Sequence, residues 1–312
     1  MPLRHSEVME GNINDYWCAR EYFDDKANPF EVGNWLGLIS SVEGRDKFLK
    51  LIQFSARTLK WHSAKYGDEV QEDAFASLYK SILEGRKSAR LLKGLNNINR
   101  LFIELPLTNS SYEKALVAGN HIGLALLWHF DYLAHAHRAK FAHFEDSRLK
   151  RISSMPSFMW SAGNICQILL GIHILRKSAS RISEVRKKLV AVPSQLQGEL
   201  MKDIEVLRIQ RFKGWLQVTK GLADLTTSSS MTGMELQRRY PMIFGWLSEP
   251  VIGFSGILSA SIVLLSNFPA SSNAAVKEGG GCEKIQKERN IALAIFAYMQ
   301  ISALFKARPM HA

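Results

Sequence analysis

His121, His129, His135, His137 and His143 crowd one stretch of the chain, with Asp131 among them. Imidazoles next to a carboxylate are the usual material of a metal site or an acid–base pair. Asp131 and His135 stand four apart and would share one face of a helix. His135 and His137 would point about 200° apart and could not hold one ion. The order H-x5-H-x-H-x5-H matches neither HExxH nor the HxxxH and HxxHH boxes of membrane di-iron oxygenases. These residues read as core or interfacial histidines, and no metal is expected. Cys18, Cys166 and Cys282 lie far apart with no CxxC pair, as in a protein of a reducing compartment. Gly279–Gly281 is not followed by the Lys-Ser/Thr of a phosphate-binding loop, and Cys282 beside it has no identifiable base. No GxSxG occurs. No catalytic residue and no cofactor emerge, and the chain does not read as an enzyme.

The chemistry that remains is electrostatic. Forty Lys and Arg against 29 Asp and Glu give a formal charge of +11, which favours anionic partners. Nucleic acid is set aside, since no zinc-finger, RNP-like or helix-turn-helix pattern accompanies the charge. Val42–Tyr66 carries the clearest signal: an acidic start, then a basic helix with an apolar stripe. On a wheel with Phe48 at zero, Leu59 and Ile52 fall within about 40° and Leu51 within about 80°. From Lys47 to Lys60 the helix holds Lys47, Lys50, Arg57 and Lys60 and no acid. A second basic helix is expected over about 74–105, with a stripe of Leu91, Leu95, Ile98 and Phe102. Arg86, Lys87, Arg90, Lys93 and Arg100 supply its charge. Neither acid-free run can form the i,i+4 ion pairs of a solvated helix, which favours an anionic lipid surface over water.

Helical periodicity runs nearly the length of the chain and strand signals are almost absent. The fold class read from it is all-α and membrane-associated, with N-terminal amphipathic helices and one to three hydrophobic ones. Residues 1–38 are acidic, punctuated by Gly11, Pro29 and Gly33, and expected to hold at most short structure. Runs without Asp, Glu, Lys or Arg occur at 115–130, 155–175, 251–268 and 290–305. A bilayer core needs roughly 20 apolar residues in a helix, which only 155–175 and 251–268 approach. Gly253, Gly256 and Ala260 recur at a spacing that lets membrane helices approach closely, for packing or for contact between copies. The other reading of all four runs is the buried helices of a soluble bundle. Residues 270–312 read as a Gly-containing loop and a hydrophobic C-terminal helix.

Several blocks share a further pattern. The run Glu43-Gly44-Arg45-Asp46-Lys47 leading into Phe48–Phe54, with Arg57 following, resembles the N-terminal signature of the peroxisomal biogenesis factor 11 family. Gly85–Gly94 is similar to that family's second basic helix, and Leu126–Leu133 to a central block, though with Asp and His displaced. Gly221-Leu222-Ala223-Asp224-Leu225 followed by Val251–Ala260 is similar to its closing Asp-Leu segment and Gly/Ser-rich membrane helix. The resemblance covers 39–269; the N-terminal extension and the hydrophobic tail lie outside it.

The resemblance implies a peroxisomal membrane protein that elongates and tubulates the organelle membrane and promotes its proliferation and fission. It implies a shallowly inserted helix, self-association, and recruitment of a dynamin-related GTPase with its tail-anchored adaptor. On that reading Phe48, Leu51, Ile52 and Leu59 enter an anionic phospholipid leaflet, and Lys47, Lys50, Arg57 and Lys60 hold headgroups at about 1 kcal/mol each. Two alternatives stand beside it. One is a channel for small metabolites, lined by Asn164, Gln167 and His173. The other is a soluble helical adaptor for an acidic partner.

Overall fold

The computed structural model describes residues 26, 29–90, 93–191, 193–231 and 234–269, and the expected C-terminal loop and helix lie outside these. Among the described residues there are ten α-helices, one 3-10 turn and no strand: α1 Val32–Ser40, α2 Val42–Tyr66, α3 Glu69–Ala89, α4 Lys93–Glu104, α5 Ser111–Arg138, α6 Asp146–Ala191, α7 Ser194–Ser229, α8 Leu236–Arg239, α9 Pro241–Phe244 and α10 Glu249–Asn267. The ends follow local chemistry. The Ser41 hydroxyl accepts the Gly44 N–H at the start of α2, and Asp68 and Ser110 cap α3 and α5 in the same way. Gly67, at φ 74°, closes α2 in the left-handed conformation.

The second basic helix expected over 74–105 is two helices. Arg90 leaves helical geometry after Ala89, and α4 begins at Lys93. The break brings Arg90 and Lys93 onto the same carboxylate, Asp46. Within the N-terminal extension, α1 is ordered by contact: Leu38 packs with Leu264 and Phe268, and the Trp35 ring meets Phe268 edge-on at 5.2 Å.

The long helices run antiparallel to their neighbours. α6 is 46 residues and α7 is 36, so at 1.5 Å per residue they extend about 70 and 55 Å. Gly123 of α5 lies against Gly163 of α6, where a Cβ would sit about 3.0 Å from backbone atoms. Side chains there would force the two helices apart. α2 lies along α10 in the opposite direction, since Arg57 meets Glu249, Lys50 meets Ser259, and Phe48 and Leu51 meet the cluster at Leu264. The order α4, α5, α6, α7, α10, α2 winds around an interior cavity, with α3 against α2.

Candidate functional site

The distribution of polarity defines the molecule. Asn164, Ser157, Ser228 and Ser259 are wholly buried, and Lys50, Asp224, Arg86 and Asp46 are nearly so. Ile122, Phe158, Ile165, Leu169, Trp215, Leu222, Phe254 and Leu258 are instead exposed on α5, α6, α7 and α10. A water-soluble bundle has the opposite arrangement. In hydrocarbon, an apolar exterior costs nothing, and polar side chains gather inside where they find partners. The helices α6 and α10 are each long and apolar enough to cross a membrane.

α2 is mounted with its polar side inward. Asp46, Lys50 and Gln53 are buried, while Ile52 is half-buried and Leu59 exposed on the opposite side. Two carboxylates organise the interior. Asp46 accepts from Arg86 at 3.1 Å and from Arg90 and Lys93, both at 2.7 Å, tying α2 to α3 and α4. Burial alone would push the Asp46 carboxyl up, but Arg90, Lys93 and Lys47 outweigh it and hold the group well below the usual carboxylate range. Glu43, partly buried and faced by Lys47 and Lys93, is lowered to about 2. The second carboxylate, Asp224 of α7, accepts from Lys50 at 2.8 Å, pairs with Lys220 at 3.1 Å, and accepts the Ser259 hydroxyl. It thereby joins α2, α7 and α10. The Arg57 guanidinium closes the far end with a two-point contact to Glu249, at 2.8 and 3.0 Å.

These pairings relocate most of the expected headgroup cations. Lys50 is buried on Asp224, Arg57 is engaged by Glu249, and Lys47 lies within 3.4 Å of Glu43. Lys60, half-exposed and 4.0 Å from Glu72, is the most open of the four. In the second basic region Arg86 is buried, Arg90 and Lys93 sit on Asp46, and Lys87 pairs with Glu84, while Arg100 is exposed. The expected inserting face divides as well. Phe48 and Leu51 pack partly on Leu38, Leu264 and Phe268, leaving Ile52 and Leu59 the more outward pair. Gly253 and Gly256 face Thr58 and the Phe54 ring of α2, and Ala260 is fully buried, so this trio packs α10 within the chain.

The histidines do not converge, and no group of three metal-ligating side chains comes together among the described residues. His121 bonds Glu104 at 3.0 Å, His135 lies 3.1 Å from Ser88, and the Phe144 N–H donates to His137. Of the residues considered for a channel lining, Gln167 reaches the cavity and accepts from Lys220 at 3.1 Å. His173 bonds Glu113 instead, and Asn164 is fully enclosed. The reading of the sequence missed Asp224 as an electrostatic centre and α1 as a helix. The composition of α1, VGNWLGLIS, was the available signal for the latter.

Fold and polarity together define a helical membrane protein. The profile of the Peroxisomal biogenesis factor 11 (PEX11) family matches residues 32–268, most of the chain and nearly all of its described part. The chain belongs to that family: it is a peroxisomal membrane protein with a role in peroxisome biogenesis and proliferation. No curated protein and no solved structure matches it.

Proposed function

We propose that the protein elongates the peroxisomal membrane by loading one leaflet with its N-terminal helices. The carrying observation is the exposed apolar edge formed by Phe30, Val32 and Leu36 at α1. α1 is fastened to one end of α10 through Leu38, Trp35 and Phe268, the position of a membrane–water boundary for a crossing helix. Apolar side chains held there on a short helix enter the headgroup region to about 5–10 Å and expand that leaflet alone. Trp35, partly exposed, is the residue type that favours this level. Self-association would concentrate the effect, and the fission machinery, a dynamin-related GTPase with its tail-anchored adaptor, would act on the narrowed tubule.

α2 contributes its outward residues Ile52, Leu59 and Lys60 while docked. Lying flat on the surface would require it to leave α10, breaking the Lys50–Asp224 and Arg57–Glu249 pairs. The full chain reconstituted into anionic liposomes is expected to draw them into tubules, as seen by negative-stain microscopy. Leu36→Glu and Ile52→Glu should each suppress tubulation while leaving the protein resistant to alkaline carbonate. Wild-type tubulation by both variants would refute the leaflet-loading mechanism.

A further inference from the structure

The helices line a partly open cavity of about 800 Å³, within the size range of small-molecule sites. Its wall is strongly basic, with eleven Lys or Arg residues against four Asp or Glu. Some of these cations are deep. The side chains of Lys50, Arg86 and Lys93 are at least nine-tenths buried, and Lys47, Arg90 and Lys220 are little more exposed. Among the described residues, Glu43, Asp46 and Asp224 are the carboxylates paired with this group. Three positive charges are therefore left over in a place shielded from water. Burial and the neighbouring Lys47 push the Lys93 ammonium down, against Asp46 and Glu43, as expected where cations crowd.

The same cavity has an apolar side. Trp128 lies 4.9 Å beneath both Arg90 and Lys93, and Trp160 lies 5.5 Å from Lys50. Leu124, Leu127 and Leu216 complete that wall. The side-chain oxygens of Asn120 and Gln217, also on the lining, have no hydrogen-bond partner among the described residues. Excess buried positive charge, an apolar wall and unpartnered amides together describe a ligand with an anionic head, hydroxyl or amide donors, and an apolar body.

We propose that this cavity binds one phosphate-bearing molecule, its phosphate between Lys50, Arg86 and Lys93 and its apolar part against Trp128 and Trp160. Guanidinium and ammonium groups reaching one cavity from α2, α3 and α4 suit a phosphate's several oxygens. The site differs from the α1 edge of the membrane-loading reading and does not rest on it. A surface helix binds many lipids weakly, whereas a recessed site of this size saturates at one.

The test uses the purified full chain in non-ionic detergent, titrated with pyrophosphate or with dioctanoyl phosphatidic acid and followed by thermal unfolding and calorimetry. One saturable site is expected, weakening as salt rises. Binding of both probes would identify the phosphate as sufficient, as for a free phosphorylated molecule. Binding of the lipid alone would identify a headgroup with its chain. Arg86→Gln should weaken binding about tenfold or more. Because Arg86 also holds Asp46, Lys93→Gln serves as the second variant: Asp46 keeps Arg86 and Arg90, Glu43 keeps Lys47, and affinity should still fall several-fold, about one charge-assisted contact's worth. Absence of saturable binding by either probe overturns the proposal, as does unchanged affinity in a folded Lys93→Gln variant.

Discussion

The contact of α5 with α6 and that of α2 with α10 both join long antiparallel helices, by different means. The first brings Gly123 against Gly163 and relies on backbone proximity. The second also places glycines at the contact, Gly253 and Gly256, but adds Lys50 with Asp224 and Ser259, and Arg57 with Glu249. The first contact depends on shape at its centre and carries its charges at one end, where Glu113 meets His173 and Lys177. The other is fixed by charges that have few substitutes inside the molecule, so it sets the register of α2 and can be released electrostatically.

The largest expected effect breaks the charged contact. Asp224→Ala leaves Lys50 buried without its anion and should cost about 3–5 kcal/mol, read from unfolding in detergent. The double variant Lys50→Met/Asp224→Leu should recover most of that loss, because it removes both charges together. Recovery absent in the double variant would show that the pair does more than neutralise itself. Next, Gly163→Leu should cost about 1–3 kcal/mol by forcing α5 off α6.

Acid sharpens the contrast further. The Asp46 and Glu43 carboxyls are depressed in the folded chain, so the unfolded chain binds more protons once pH enters the ordinary carboxylate range. Stability therefore holds above about pH 5 and declines as pH falls through about 4 and lower, seen as a falling melting temperature. Asp46→Asn, although less stable at pH 7, should show a shallower decline; an identical slope would remove Asp46 from the account. The smallest effect belongs to Lys60→Gln, which should reduce liposome binding by about 1 kcal/mol or less, since that ammonium is half-exposed.

Much of the architecture was legible from periodicity and uncharged length. The all-α class, the turn at Gly67, and the apolar character of α6 and α10 follow from local pattern alone. The apolar stripe of α2 was legible too, with Ile52 and Leu59 on its outward side. The partners of its cations were not. The lack of acids within four residues pointed to lipid, yet Lys50 is met by Asp224, 174 residues away, and Arg57 by Glu249, 192 away. A helical wheel reports which residues share a face and carries no information on whether the polar face looks outward. In this fold it looks inward, which sets Lys50 and Arg57 on carboxylates of α7 and α10. The break between α3 and α4 was equally hidden, since stripe and charge continue across it and only the shared Asp46 explains it.

The length of α6 has a consequence of its own. With residues 155–175 in the roughly 30 Å of hydrocarbon, the remainder of a helix about 70 Å long, paired with α7, must stand outside. On the side of Pro193 that remainder is residues 176–191, which set the tip about 24 Å from the lipid and limit how closely anything that docks there can approach the organelle.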